Sequence, residues 1–128
     1  MARPRHEHPT PAELEILQVL WDRGPSTVRE VLDALRQKRP RAYTSLMSLM
    51  NIMVDKALLV RRPVGKAFLY APLAQRDQTL GQILGDLVNR AFDGSASALV
   101  AQLLGNTSGE ELEEIRKTIE AYRKKGGK

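Results

Sequence analysis

Apolar residues recur at helical spacing along most of the chain, broken once near its middle by a stretch that alternates. The first helix is announced by Thr10-Pro11-Ala12-Glu13, a capping threonine with proline at the first helical position and glutamate three residues on. Leu14, Leu17 and Trp21 share its inner face, and Gly24-Pro25 ends it. Thr27-Val28-Arg29-Glu30 repeats the capping box and opens a second helix carrying Val28, Val31, Leu32 and Leu35. A basic link, Gln37-Lys38-Arg39-Pro40-Arg41, follows and is broken by Pro40.

From Tyr43 to Ala57 a third helix is expected, with Leu46, Leu49, Met50, Met53, Val54 and Ala57 as its apolar stripe. Its other side holds Thr44, Ser45, Ser48, Asn51 and Asp55. Short uncharged hydrogen-bonders dominate there, where Lys and Glu usually cover a merely solvated face, so this face can approach another surface closely. Leu58–Arg62 and Lys66–Ala71 read as two strands joined by Pro63-Val64-Gly65, the second with Phe68 and Tyr70 on one side. Arg61, Arg62 and Lys66 sit near the tip of this hairpin and can reach phosphates, although basic hairpins also serve solubility.

Beyond Pro72 the period returns to helical. Leu80, Ile83, Leu84, Leu87, Val88, Ala91 and Phe92 form a stripe that Gly94 stops. Ser95 caps a short helix with Leu99, Val100, Leu103 and Leu104, and Ser108-Gly109-Glu110-Glu111 is a third capping box, before Leu112, Ile115, Ile119 and Tyr122. So small a segment cannot bury these stripes within itself, and the simplest partner is the same segment of a second chain. The expected dimerisation surface comprises Leu80, Ile83, Leu84, Leu87, Val88, Phe92, Leu99, Leu103, Leu112, Ile115 and Ile119.

Composition narrows the function classes. With 128 residues the chain holds one domain or two small units sharing a core, and 42% apolar with 27% charged residues suits a folded protein. The absence of cysteine excludes disulfide scaffolds, thiolate metal sites and cysteine nucleophiles. No apolar run approaches the eighteen residues of a membrane span, and Arg3, Arg5, His6, Glu7 and His8 occupy the region where a signal peptide would be apolar, so a cytoplasmic protein without membrane insertion is expected. The segment to Arg76 carries thirteen basic and seven acidic residues, a net of +6, whereas Asp77 to Lys128 carries seven and eight, a net of −1. The front half is the one suited to a polyanion.

Three helices followed by a hairpin is the layout of a winged helix, whose third helix enters the DNA major groove. A mainly α fold is therefore expected: a tail over 1–9, a winged-helix domain over 10–73, and a helical dimerisation region over 74–128. The expected DNA-contacting residues are Arg39, Arg41, Tyr43, Thr44, Ser45, Ser48, Asn51, Arg61, Arg62 and Lys66.

The residues also resemble a known family. Thr10-Pro11-Ala12-Glu13-Leu14-Glu15 with Leu20-Trp21, Thr27-Val28-Arg29-Glu30-Val31, Ala42-Tyr43-Thr44-Ser45, Gly65-Lys66-Ala67-Phe68-Leu69-Tyr70-Ala71-Pro72-Leu73 and Phe92-Asp93-Gly94-Ser95 are similar to blocks of the BlaI/MecI/CopY penicillinase-repressor family. The resemblance covers nearly the whole chain. It implies a homodimeric repressor, not an enzyme, that binds a palindromic double-stranded DNA operator, needs no cofactor, and in antibiotic-responsive members answers to a membrane sensor and protease system.

The sequence departs from that pattern at four points. Ile52 stands where the third helix of the family usually carries arginine, and Ala57 where it carries glycine; the cysteine pairs of the copper-responsive members are absent; and Gln102-Leu103 aligns with the Asn-Phe cleavage bond. Thiolate metal sensing is thereby excluded.

Other chemistry is sparse. His6-Glu7-His8 lacks a third metal ligand nearby, Met47, Met50 and Met53 are expected to fill core space, and Glu110, Glu111, Glu113 and Glu114 suit the start of a helix better than acid–base catalysis. Gly81 and Gly85 could allow close helix approach. Two alternatives stay open: a winged helix whose third helix docks on a protein, which an apolar Ile52 would favour, and a repressor released by a small ligand held between dimer helices against the Leu80–Phe92 stripe.

Overall fold

The computed structural model describes residues 8–38 and 40–126. Arg39 and most of the amino-terminal tail, including His6 and Glu7, therefore lie outside the described residues. Six helices and one hairpin follow in the order α1 Pro11–Arg23, α2 Val28–Leu35, α3 Tyr43–Asp55, β1 Leu59–Val64, β2 Ala67–Pro72, α4 Arg76–Ala91, α5 Ala96–Leu104 and α6 Gly109–Lys124. The chain forms two compact units, residues 1–83 and 84–128, with the division falling inside α4.

Both amino-terminal capping boxes form. The Thr10 hydroxyl accepts the Glu13 N–H at 3.2 Å while the Glu13 carboxylate accepts the Thr10 N–H at 2.9 Å, and Thr27 and Glu30 repeat the exchange at the same distances. Ser108 forms only half of the third box: its hydroxyl accepts the Glu111 N–H at 3.2 Å, without the reciprocal carboxylate bond. Gly24 ends α1 with a φ of 92°, a backbone conformation that suits glycine.

The core of the first unit is made by Ile16, Leu17, Leu20, Val28, Val31, Leu35, Leu46, Met50, Met53, Leu59 and Tyr70. Ile16 and Leu20 join the expected Leu17 on the inner face of α1, while Leu14 and Trp21 pack at its margin. Met50 and Met53 are fully buried as expected, but Met47 is exposed. The reason is helical phase: Met47 lies one position beyond Leu46 and so turns away from the core that Leu46, Met50 and Met53 enter. The polar Glu13 is buried too, and its carboxylate receives Lys56 Nζ at 2.9 Å on both oxygens, which ties the start of α1 to the end of α3.

The hairpin is antiparallel, with Leu59 opposite Pro72 and Val64 opposite Ala67. Its turn is therefore Gly65-Lys66, one residue shorter than the expected Pro63-Val64-Gly65, with β1 running on through Val64, and Gly65 supplies the positive φ (62°) that such a two-residue connection needs. Pro63 is tolerated in β1 because the pairing alternates. Tyr70 spends its N–H and carbonyl on Ser26 (2.8 and 3.0 Å), so its partner Arg61, and two residues on Pro63, occupy positions that give β2 no hydrogen bond. The Ser26 bridge adds a one-residue third strand to the hairpin. Trp21 closes the first unit by donating its indole N–H to the Ala74 carbonyl at 3.0 Å.

In the second unit, Ser95 caps α5 through the Ala98 N–H at 3.0 Å. Neither α5 nor α6 has a buried residue. Leu84, Leu87, Val100, Leu103, Leu104, Leu112, Ile119 and Tyr122 are exposed large hydrophobics.

Helix α3 ends at Asp55, two residues before its expected limit, because Ala57 takes a φ of 63°. An L-residue with a Cβ pays about 1–2 kcal/mol for that conformation, of which roughly 0.5–1 kcal/mol is returned by the lower chain entropy of alanine relative to glycine in the unfolded state. Ala57→Gly should therefore stabilise the first unit by about 0.5–1 kcal/mol. Urea titration followed by the fluorescence of Trp21, the single tryptophan, would register it; a destabilised variant would contradict the strain.

Candidate nucleic-acid interface

Helix α3 turns three sides to different surroundings. Leu46, Met50 and Met53 enter the core, Asn51 turns to the hairpin, and Thr44, Ser45, Ser48 and Ile52 remain exposed. Arg41, Thr44, Ser45, Ser48, Leu49 and Ile52 line a shallow concavity on this open side. It presents two serine hydroxyls, a threonine hydroxyl and methyl, and the aliphatic side chains of Leu49 and Ile52, with Arg41 as the cation among its described lining residues.

Asn51 is tied to the hairpin more closely than its spacing suggested. Its amide oxygen accepts the Tyr70 hydroxyl at 2.9 Å and is also bonded by the Arg61 guanidinium. Arg61 lies over the Phe68 ring, 4.5 Å from its centre, so arginine, phenylalanine, tyrosine and asparagine form one cluster where hairpin meets helix. Arg62, the next residue along β1, points to the opposite face of the strand, and both arginines are exposed. Lys66 occupies the tip.

Sequence reasoning missed Arg29. It sits at the second position of α2 with its guanidinium 5.6 Å from the centre of the Tyr43 ring, at the start of α3. Arg29, Tyr43, Met47, Lys66 and Phe68 border a notch of about 230 Å³ between the two helices and the hairpin. Only the proximity of two helix starts reveals it, and nothing local in the sequence encodes that proximity. Of the residues expected to contact DNA, the structure brings Arg41, Thr44, Ser45 and Ser48 onto one open surface and Tyr43 and Lys66 onto the notch, while Asn51, Arg61 and Arg62 belong to the junction with the hairpin or to the hairpin itself. Arg39 lies outside the described residues.

Three helices, a hairpin that follows them and an open polar face on the third helix define a winged helix-turn-helix, the class of fold used by many transcription regulators. Residues 9–121 match the penicillinase repressor family, and the chain belongs to it. It is 29% identical over 109 residues to the transcriptional regulator BlaI of Mycobacterium tuberculosis, a match covering 84% of this chain and 79% of that protein. It is 24% identical over 114 residues to the penicillinase repressor of Bacillus licheniformis, covering 88% and 89%. The crystal structure of a transcriptional regulator from Thermotoga maritima shares the fold, with a TM-score of 0.51 at 16% identity over 89% of this chain and 73% of that one. This is a family of transcription regulators and not of enzymes. Among the described residues, no helix is long and apolar enough to cross a membrane.

The Asn51 cluster should carry stability as well as position. Asn51→Ala leaves the hydroxyl of the buried Tyr70 without its acceptor, a loss of about 1–3 kcal/mol, whereas Asn51→Asp keeps an acceptor oxygen and should lose less. Urea unfolding of the two variants would show that order, and equal losses would mean that the amide oxygen is not what holds the hairpin.

Proposed function

We propose that the chain is a homodimeric, cytoplasmic repressor that binds a palindromic DNA operator, with α3 in the major groove and the hairpin as a wing on the phosphate backbone. The observation that carries this reading is the open, uncharged face of α3 set among cations: Thr44, Ser45 and Ser48 beside Arg41, with Arg29, Arg61, Arg62 and Lys66 around it. Hydroxyls and methyls suit base edges, and arginine and lysine suit phosphates. A merely solvated helix has no need of that division.

The dimer is supported by the apolar exposure of the second unit. Leu84 and Leu87 on α4, Leu103 on α5, and Leu112 and Ile119 on α6 are each more than two-fifths exposed in the single chain, and α5 and α6 have no buried residue. A repeated surface of this kind is satisfied by a second copy about a two-fold axis, which would also explain a palindromic operator. Gly81 and Gly85 have open space where a Cβ would stand, so they leave room for a close neighbour. Light scattering should give about twice the chain mass of 14.3 kDa, and a monomer at micromolar concentration would overturn the dimer. Whether a membrane sensor and protease release this repressor is a separate matter that Gln102-Leu103, on exposed α5, does not favour.

DNA binding should weaken steeply with salt, because each phosphate neutralised by Arg41, Arg61, Arg62 or Lys66 releases a counterion. Arg62→Ala and Lys66→Ala should each lower the slope of log affinity against log salt by about one unit per lost contact in each half-site. Ser48→Ala, in contrast, should leave that slope intact and reduce the preference for operator over scrambled duplex by roughly 1–3 kcal/mol per lost base contact. Titration of the three variants against both duplexes over a salt series tests the arrangement. A wing variant with an unchanged slope removes the hairpin from the interface, and equal losses by Ser48→Ala on both duplexes remove α3 from base reading.

A further inference from the structure

We infer that Ile52 reads the 5-methyl group of a thymine in the major groove, making it the residue that distinguishes thymine from cytosine at one position of each half-site. This rests on the reading of α3 as the groove-entering helix.

Ile52 is 49% exposed, whereas Leu46, Met50 and Met53 of the same helix are fully buried. It is neither in the buried core cluster nor among the side chains packed against it, and it lines the open concavity together with Arg41, Thr44, Ser45, Ser48 and Leu49. Ser45, Ser48 and Ile52 follow one another at i, i+3 and i+7 and so form a single row along the helix. That row spans about 10 Å at a rise of 1.5 Å per residue, close to three base-pair steps. Of the polar side chains beside it, Asn51 is committed to Tyr70 and Arg61, and Lys56 to Glu13. Ile52 therefore brings an exposed apolar group to the end of the row that Ser45 and Ser48 begin.

Isoleucine can neither donate nor accept a hydrogen bond. Pressed against guanine, adenine or cytosine it would desolvate a polar edge and return nothing, whereas thymine alone presents a methyl group in the major groove. Cytosine at the same place would bury its amino donor unpaired. The chemistry of the side chain thus selects its partner without any hydrogen bond.

The test begins with duplexes selected by the wild-type chain from a random pool at one fixed salt concentration. Each thymine of the selected duplex is then replaced singly by deoxyuridine, which deletes the methyl and keeps the base pair. At one thymine per half-site the replacement should weaken wild-type binding about fourfold, the weight of one methyl removed from water. Ile52→Ala should bind the thymine and deoxyuridine duplexes equally at that position while unfolding at the wild-type urea concentration, and Ile52→Val should keep part of the discrimination. A selected duplex in which no thymine responds, or an Ile52→Ala chain that still senses the methyl, overturns this inference and leaves the repressor reading standing. A pool in which no sequence is enriched overturns both, and points to a protein surface as the partner of this face.

Discussion

The carboxylate of Glu13 governs where α3 can lie. It is buried, it closes the cap of α1 by accepting the Thr10 N–H, and it receives the Lys56 ammonium on both oxygens at 2.9 Å. Taking both charges out of water offsets much of their attraction, so the pair adds little net stability; removing either partner alone is costly because the other is left buried. What the pair adds is direction. It holds the last turn of α3 to the first turn of α1, and the core contacts of Leu46, Met50 and Met53 then leave the helix only one rotation about its axis.

With that rotation fixed, the chemistry sorts itself around the helix. Apolar side chains face the core, Asn51 faces the hairpin, and the hydroxyls of Thr44, Ser45 and Ser48 face outwards. The hairpin is held from two sides, by Ser26 through a pair of backbone hydrogen bonds and by Asn51 through the Tyr70 hydroxyl. Apart from Arg41, which lines the open face just ahead of α3, the cations described around it, Arg29, Arg61, Arg62 and Lys66, stand on other elements. On the proposed reading, long-range attraction to a polyanion and short-range recognition fall largely to different residues.

The parts of this arrangement that were legible in the sequence are those written within a few residues. Thr10 and Thr27 with their glutamates, Gly24 after α1 and the stripes of α2 and α3 follow from local rules, and the structure agrees with them. Pro63 misled because proline is usually a turn residue, and only the pairing register shows that its missing N–H costs this strand nothing. Met47 misled because three methionines at three-residue spacing look alike, whereas one of them falls just outside the buried arc. The Asn51–Tyr70–Arg61 cluster, the Ser26 bridge and the Arg29–Tyr43 contact join residues 10 to 44 positions apart, and no periodicity encodes such pairs. The strained Ala57 was visible only as a departure from a family's glycine, and its φ supplies the physical meaning of that departure.

Asn51 has a consequence for how a repressor of this shape can change its target over generations. Its amide oxygen is spent on the wing, so a substitution there disturbs the placement of the hairpin before it alters any preference for sequence. Thr44, Ser45, Ser48 and Ile52 carry no such duty and can be exchanged without loosening the fold. On the proposed reading of α3, new specificities would arise by drift along its exposed side chains, with the neighbouring asparagine acting as a fixed hinge-pin around which the alphabet of contacts is rewritten.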